Sequence, residues 1–251
     1  MDQQIHKKID EVILWLREQV NNAGAKGLAV GISGGIDSAV VACLIKKAFP
    51  NNSLGIILPI KSDKKDIEDG ILSVKACNID YFEVDLEEEH NGIMAKVTEQ
   101  LNDKGKFNNS TKRATDANLR ARLRMSTLYA IANNLNYLVV GTDNAAELYT
   151  GYFTKYGDGG VDLLPIASLK KYEVYEWAKV LGVPKEVIEK QPSAGLWEGQ
   201  TDEQEMGTTY EYIDSFLDGK SIPEKDLAII ERLHKNSDHK RTTPPSPKLD
   251  K

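Results

Sequence analysis

The sequence has few of the residues that mark specialised structural classes. Its 251 residues include only two cysteines, Cys43 and Cys77, and four histidines. These numbers fit neither a disulfide-rich scaffold nor a zinc knuckle. Both cysteines fall in apolar helical patterns, so we expect buried, reduced thiols. No apolar run reaches membrane-spanning length, and the N-terminus lacks a signal-peptide pattern. The sequence therefore predicts a cytoplasmic protein with no membrane partner.

Positive charge is also scarce, since the formal net charge is −6. Proteins that hold nucleic acid through broad phosphate contacts are usually basic, so we expect no nucleic-acid partner. Hydrophobic residues make up 41% of the chain and charged residues 28%, which is an ordinary globular composition. We predict a single domain over residues 1–251, with an N-terminal helix over 3–21 and a polar C-terminal tail over 236–251.

Short apolar runs alternate with helical patterns along most of the chain. The runs are predicted as strands at residues 28–32, 54–60, 81–84, 137–141 and 163–164. They are continuously apolar, as in strands covered on both faces. This order predicts an α/β fold, namely a doubly wound, mainly parallel five-stranded sheet with helices on both faces.

A serine- and glycine-rich segment, Ser-Gly-Gly-Ile-Asp-Ser at residues 33–38, follows the first predicted strand. Gly34 and Gly35 allow backbone to approach phosphate oxygens, and the next helix presents free N–H groups there. A carboxylate such as Asp37 repels phosphate unless Mg²⁺ bridges the two. The alternative is a plain strand-to-helix turn with Asp37 as the cap. The segment is neither a Walker loop nor a dinucleotide fingerprint.

This segment resembles the loop of the pyrophosphate-loop ATP pyrophosphatases, which split ATP between its α and β phosphates. Further segments narrow the resemblance: GTDNAAE at 141–147, YFTKYGDGG at 152–160, the arginine-rich 118–125 and DHKR at 238–241. Together with the irregular stretch at 191–207, they resemble the ammonia-dependent NAD⁺ synthetases. That family has an adenine nucleotide alpha hydrolase-like fold.

The resemblance implies roles for individual residues. ATP would contact Gly31, Ile32, Ser33, Gly34, Gly35, Ile36, Asp37, Ser38, Thr142, Lys171 and Ser193. Deamido-NAD⁺ would contact Arg122, Lys155, Asp162, His239 and Lys240. Asp37 and Glu147 would bind Mg²⁺. Lys171 would stabilise charge in the transition state, and no covalent nucleophile is required. Ser193 stands where many relatives have threonine, which also supplies a hydroxyl.

Arg122 receives two interpretations. Its position beside Leu119 and Met125 predicts that it points into the apolar stripe of a helix. A buried arginine needs an anionic partner. That partner could be an internal carboxylate or a bound anion.

The resemblance implies that deamido-NAD⁺, ATP and ammonia give NAD⁺, AMP and pyrophosphate through an acyl-adenylate. The stretch at 191–207 would act as a lid, and the family is homodimeric. If ammonium itself binds, Asp158 or Asp162 is a candidate base. Two other functions compete with this one. They are another pyrophosphate-loop adenylating enzyme, such as a tRNA-modifying one, and a non-catalytic ATP-sensing module.

Overall fold

The computed structural model describes residues 2–193, 199 and 201–247. Its centre is a parallel sheet with strand order β3-β2-β1-β4. The strands are β1 (Gly27–Gly31), β2 (Ser53–Ile57), β3 (Asp80–Glu83) and β4 (Tyr137–Val140). Chain order and spatial order differ because the chain starts in the middle, winds outward through β2 and β3, and then returns to add β4 beside β1. Such a reversal opens a crevice at the carboxyl ends of β1 and β4.

Four strands form the sheet in the described part of the chain, where the sequence predicts five. Leu163 makes only an isolated parallel bridge to Val140. Gly141 donates to the carbonyl of Leu163 with N···O 2.8 Å. Two residues later comes Pro165, which has no N–H to continue a ladder. The run at 163–164 therefore lies along the sheet without forming a strand.

Helices connect and cover the strands, as predicted. They are α1 (Asp2–Asn22), α2 (Ile36–Ala48), α3 (Lys64–Ala76), α4 (Glu87–Asp103), α5 (Lys112–Leu135), α6 (Ala145–Thr150), α7 (Lys171–Leu181), α8 (Lys185–Ile188), α9 (Asp202–Met206), α10 (Tyr210–Leu217), α11 (Glu224–Asn236) and α12 (Asp238–Arg241). The predicted polar tail thus begins with a helical turn, α12. None of the helices described could cross a membrane.

The sheet has a core on each face, which explains why its central strands are apolar throughout. Leu28 and Val30 of β1 pack into the larger core with α1, α2 and α7. Ala29, between them, faces the smaller core with Leu128 of α5. Alternate side chains of a strand point to opposite faces, so a strand covered on both sides has no polar face. Edge strand β3 departs from this expectation, because all four of its residues are exposed.

The two cysteines correct a second expectation. Cys43 of α2 and Cys77, which ends α3, form a disulfide bond, with their Cα atoms 4.9 Å apart. The interpretation as reduced thiols is wrong for this structure. The residues are 34 positions apart in sequence, and only the packing of α2 against α3 brings them together.

Candidate functional site

A cavity of about 910 Å³ lies at the carboxyl ends of β1, β2 and β4. Most residues that the resemblance assigns to ATP and metal line it: Gly31, Ile32, Ser33, Gly35, Ile36, Asp37, Ser38, Thr142, Glu147, Lys171 and Ser193. Lys240 is the one predicted dinucleotide residue in its lining. The cavity is therefore lined by the turn after β1, by residues that follow β4 and by residues from the C-terminal half of the chain.

The phosphate loop has backbone geometry that depends on glycine. Gly34 has φ +80°, and a Cβ there would lie 2.2 Å from the carbonyl oxygen of Asp66. Gly35 is extended and forms the N-cap of α2 without a side-chain hydrogen bond. The hydroxyl of Ser38 donates to the carbonyl of Gly35 at 2.9 Å and lies 3.2 Å from the Ser33 hydroxyl. The free N–H groups at the start of α2 thus face the cavity beside two hydroxyls.

Asp37 lies one residue inside α2 and does not cap it. The interpretation of the segment as a plain turn capped by Asp37 is therefore wrong. The Asp37 carboxylate accepts a hydrogen bond from Lys171 Nζ at 2.7 Å and one from Asn144 Nδ2 at 2.9 Å. Lys171 Nζ also lies 3.3 Å from Glu147 Oε1. These contacts bring α2, α6 and α7 together at one charged centre. The centre combines one cation with two carboxylates.

A capping box fixes Glu147 in this centre. The backbone N–H of Asn144 donates to Glu147 Oε2 at 3.1 Å, while Asn144 Oδ1 accepts from the N–H of Glu147. Glu147 is 9% exposed, so its carboxylate is buried and not solvated. Burial raises the pKa of this carboxyl to about 7. Nearby Lys171 lowers the pKa in part, and the negative charge of Asp37 raises it.

Lys171 is itself only 3% exposed. Burial lowers the pKa of its ammonium, but Asp37 and Glu147 outweigh burial and the net pKa is raised. The lysine is therefore a permanent positive charge at neutral pH. It is held where α7 meets the start of α2 and the capping box of α6.

Two tyrosines extend the centre in a way that the sequence analysis missed. Tyr210 donates toward Glu147 Oε1 at 3.1 Å and lies 3.0 Å from Asp202 Oδ2. Tyr152 lies 3.2 Å from Asp202 Oδ1 and donates to Glu205 at 2.7 Å. Burial raises the pKa of Asp202 despite Lys171 and these hydroxyls. Tyr152 begins the segment at 152–160 that the sequence analysis selected, but nothing in its spacing predicts a contact with Asp202, and Tyr210 lies in none of the selected segments.

The paired carboxylates fit a magnesium site in their chemistry. Asp37 and Glu147 both contact one cationic nitrogen, so their oxygens converge on a common position. Mg²⁺ commonly takes one or two protein carboxylates and completes its shell with water and substrate phosphates. Within the described residues no group of three or more His, Cys, Asp and Glu side chains could hold a metal. Two carboxylates are the smaller set that a nucleotide-bound ion uses, so the chemistry of Asp37 and Glu147 fits such an ion.

Asp143 is a second buried acid that the sequence analysis did not select. It lines the cavity, is 5% exposed, and its Oδ2 has no hydrogen-bond partner among the described residues. Burial raises its pKa well above the usual range, and Asp158, Glu147 and Asp37 raise it further. Asp158 also lines the cavity and accepts a hydrogen bond from the N–H of Thr154 at 2.9 Å.

Three of the predicted dinucleotide residues form a chain of contacts outside the cavity lining. Arg122 donates to the carbonyl oxygen of Lys155 with both Nε and one Nη at 3.3 Å. Lys155 Nζ in turn donates to the carbonyl oxygen of His239. Lys240, the next residue, donates to the carbonyl of Gly151 at 2.7 Å and faces the cavity. Arg122, Lys155 and His239 therefore form one surface that continues from Lys240.

Asp162 lies apart from that surface. Its carboxylate accepts from the N–H of Val139 at 2.8 Å and from the hydroxyl of Tyr129 at 2.9 Å. These bonds fasten the segment after the glycine-rich loop to β4. Asp162 is absent from the cavity lining, whereas Asp158 is present. Of the two candidate bases, only Asp158 thus faces the cavity.

The expected burial of Arg122 is wrong. Arg122 is exposed, and the buried arginine of α5 is Arg120, which pairs with Asp116. Arg124 donates to the carbonyl of Leu58 at 2.9 Å and lines the cavity. The arginines are two residues apart, so on a helix each successive one points to a different side. The apolar stripe was assigned to the wrong side because Leu119 and Met125 are themselves only partly buried.

The stretch at 191–207 is only partly covered by the structure. Ser193 is exposed and lines the cavity, and α9 occupies the later part of the stretch, which the sequence predicts as irregular. Residues 194–198 and 200 lie outside the described residues. The lid prediction concerns those residues above all, so it stays a prediction.

Comparison with known proteins agrees over nearly the whole chain. The family model described as NAD synthase matches residues 8–244. The NH(3)-dependent NAD(+) synthetase of Alkaliphilus oremlandii is 78% identical over 249 residues, which cover 99% of this chain and 100% of that one. The enzyme of the same name from Alkaliphilus metalliredigens is 62% identical over 98% of this chain and all of its own.

Solved structures agree with the sequence relatives. An NMN synthetase from Francisella tularensis superimposes with a TM-score of 0.90 at 40% identity, covering 98% of this chain and 99% of that one. An NH3-dependent NAD synthetase from Campylobacter jejuni, in complex with nitrate, has a TM-score of 0.78 at 28% identity, covering 97% and 99%. With a family model over most of its length and relatives of this similarity, the chain belongs to the NAD synthase family.

Proposed function

We propose that this chain amidates deamido-NAD⁺ with ammonia at the expense of ATP, giving NAD⁺, AMP and pyrophosphate. The observation that carries the proposal is the meeting of Asp37, Glu147 and Lys171 beside a glycine-dependent phosphate loop. A module that only senses ATP has no need for a buried lysine bound by two carboxylates at the loop. The activity is also the one that the names of the Alkaliphilus relatives give for those proteins.

The protein's part in this reaction is to position and to stabilise charge. A carboxylate has no usable leaving group, so the nicotinate oxygen first attacks the α-phosphorus of ATP and pyrophosphate leaves. Ammonia then displaces AMP from the acyl-adenylate. Negative charge grows on the phosphate oxygens during the first step, and Lys171 supplies a fixed positive charge in a buried site. The N–H groups at the start of α2 hold the departing pyrophosphate.

Magnesium is proposed at the same centre, with Asp37 and Glu147 as its protein ligands. The bound ion would neutralise phosphate charge, which also relieves the repulsion between Asp37 and the triphosphate. Asn144 orients Asp37 through a hydrogen bond and Glu147 through the capping box. Asn144, at the start of α6, thus holds both carboxylates in place.

The remaining assignments extend this proposal. Thr142 and Ser193 at the cavity wall would contact ATP, and Arg122, Lys155, His239 and Lys240 would bind the dinucleotide along the surface described above. The place of Asp162, tied to Val139 and Tyr129, supports an indirect role through the glycine-rich loop. We also propose a homodimer, with α1 and α5 as candidate interface helices. Leu14 and Trp15 of α1 are exposed apolar side chains that support this. Cytoplasmic localisation remains a prediction.

The decisive experiment measures AMP and pyrophosphate with each substrate omitted in turn. We expect both products in equal amounts, strictly dependent on deamido-NAD⁺ and ammonia. Release of ADP and phosphate, or AMP formation without deamido-NAD⁺, contradicts the assignment. Transfer of adenylate to a tRNA substrate would favour the tRNA-modifying alternative.

The Francisella structure supports a second candidate function. Its description as an NMN synthetase corresponds to amidation of the mononucleotide of nicotinic acid. Arg122, Lys155 and His239 lie outside the cavity lining. The lining itself therefore does not distinguish a dinucleotide substrate from a mononucleotide. Comparing kcat/KM for deamido-NAD⁺ and for nicotinate mononucleotide separates the two. We expect the dinucleotide to be preferred, and Arg122→Ala to reduce that preference.

A further inference from the structure

Lys190, which follows α8, ties three segments together at the edge of the cavity. Its Nζ lies 2.6 Å from Asp66 Oδ1, 2.8 Å from Asp69 Oδ2 and 3.4 Å from the carbonyl oxygen of Gly34. Asp66 and Asp69 belong to α3, and Gly34 belongs to the phosphate loop. One flexible side chain therefore fastens the loop and α3 to the segment that follows α8.

The loop and α3 are in direct contact at this point. The carbonyl oxygen of Asp66 lies so close to Gly34 that no side chain could stand between them. Asp66 and Lys190 both line the cavity. Asp69 is 1% exposed and is also paired with Lys65, whose Nζ lies 2.7 Å from Oδ1 on the solvent side. Two carboxylates and two ammonium groups thus balance each other next to the phosphate-binding backbone.

This balance affects ATP, because the triphosphate carries several negative charges. A carboxylate in the wall beside the phosphate loop repels it unless a cation is present. Lys65 is 63% exposed and pairs with Asp69. Among the described residues, Lys190 is the cation in direct contact with Asp66, while Arg124 also attracts Asp66 electrostatically. Burial lowers the pKa of Lys190, but its hydrogen bonds to Asp66 and Asp69 outweigh burial and the net pKa is raised. The ammonium is charged wherever the enzyme is folded near neutral pH.

We propose that Lys190 is a positioning residue for ATP. Lys190 cancels the charge of Asp66 and holds the carbonyl of Gly34, so that the phosphate loop accepts the triphosphate. It acts through its neighbours, not by touching the reacting atoms. The inference rests on the proposed function only in taking ATP as a substrate. Its effect belongs to ATP binding and not to the amidation step.

Calorimetric titration with an ATP analogue that has a methylene bridge between the α and β phosphates measures this binding directly. We expect Lys190→Met to raise the Kd about tenfold, the scale of one lost charge-assisted interaction. Lys190→Arg should stay within about threefold, because the guanidinium keeps the charge and can reach both carboxylates. Lys65→Met is the matched control. It removes the other partner of Asp69 without a contact to the loop, and its Kd should equal that of the wild type.

A double variant isolates the role of Asp66. With Asp66→Asn and Lys190→Met together, the unpaired carboxylate is gone, and we expect most of the lost affinity to return. A double variant no better than Lys190→Met alone would overturn the proposal, since Lys190 would then contact ATP itself. Unchanged affinity in Lys190→Met would overturn it as well. If the wild type fails to bind the analogue, the proposed function is wrong instead.

Steady-state kinetics provide the second readout. For Lys190→Met, the KM for ATP should rise in step with the Kd, while the KM for deamido-NAD⁺ and kcat at saturating ATP stay within about twofold. A merely structural role would also raise the KM for deamido-NAD⁺ and lower kcat, and thermal stability would fall with them. If Lys190→Met fails to fold, the double variant still gives the test, because its affinity for the analogue is compared with that of Asp66→Asn alone. Equal affinity supports a role through Asp66, and a further large loss overturns it.

Discussion

The ammonium nitrogen of Lys171 lies 2.7 Å from Asp37 Oδ2, so a residue of α7 is bound directly to the first turn of α2. Asp37 already has a cationic partner before any ligand arrives. The same nitrogen reaches Glu147, which connects the β1 and β4 sides of the crevice. The structure therefore holds the phosphate loop and the capping box of α6 in a fixed relation through one side chain.

Replacing Lys171 with methionine should reduce turnover by roughly a hundredfold to a thousandfold, the usual effect of removing one preorganised charge donor. It should also lower the melting temperature in magnesium-free buffer, because Glu147 stays buried without its cation. Activity assays and thermal melts measure both effects. Lys170→Met is the control, since Lys170 pairs with Asp218 outside the cavity lining. Equal losses in the two variants would contradict a specific role for Lys171.

Arg122→Lys should weaken the use of deamido-NAD⁺ while stability changes by less than about 0.5 kcal/mol, as for other surface substitutions. Arg122 is exposed and its contact within the chain is the carbonyl of Lys155. Lysine keeps the charge but loses the fork that binds an anion in two places.

Arg120→Lys on the same helix provides the comparison for Arg122. Arg120 is 8% exposed and pairs with Asp116, so its replacement should lower the melting temperature and leave the KM for deamido-NAD⁺ nearly unchanged. Substrate titrations and melts of both variants decide the matter. A melting point that falls for Arg122→Lys with unchanged KM would support an internal role for Arg122.

Asp143→Asn should stabilise the protein at pH 8, and the gain should shrink as the pH falls. Burial raises the pKa of Asp143 in the folded state, so the folded protein binds this proton more tightly than the unfolded chain does. Ionised Asp143 therefore costs stability at high pH, and this cost disappears toward the ordinary carboxyl pKa of about 3.9. Denaturant unfolding of both proteins across that range measures the difference. A pH-independent difference would contradict the assignment.

Ammonia should be the nitrogen donor in its unprotonated form, because only that form has the lone pair that attacks the adenylate. At fixed total ammonium, the apparent affinity should rise with pH in step with the unprotonated fraction. Initial rates against ammonium at several pH values test this, with glutamine as a parallel donor that should be inert. A requirement for ammonium that does not change with pH would favour binding of the cation and its deprotonation by an acid such as Asp158.

Local sequence patterns predicted most of the fold because the signals lie within single elements. The apolar run before Ser33 and the glycines after it define a strand, a turn and a helix without any distant contact. The start of α3 is local in the same way, since Asp63 caps it by accepting from the N–H of Lys65. The run at 163–164 was apolar enough for a strand, but strand formation also depends on a partner and on the proline that follows.

Contacts between residues far apart in the chain could not be predicted from the sequence. The disulfide depends on α2 packing beside α3, and the place of Tyr210 depends on how α10 meets α6. The side of α5 that faces the core is a further case, because Arg120, Arg122 and Arg124 share one residue type and differ only in direction. Asp37, Glu147 and Lys171 were selected through family resemblance, and their geometry supports the selection without testing the roles.

The order β3-β2-β1-β4 also determines when each strand can pair during synthesis. Strands β1, β2 and β3 leave the ribosome in turn and can pair as they appear, but β1 keeps an unpaired edge until Tyr137 and the rest of β4 emerge. At roughly 5–20 residues per second, the interval from Gly31 to Tyr137 lasts several seconds or more. During that interval the open edge of a central apolar strand is available to other chains. The nascent chain is therefore most exposed to misassociation just before α5 and β4 are complete, and dependence on chaperones should be greatest at that length.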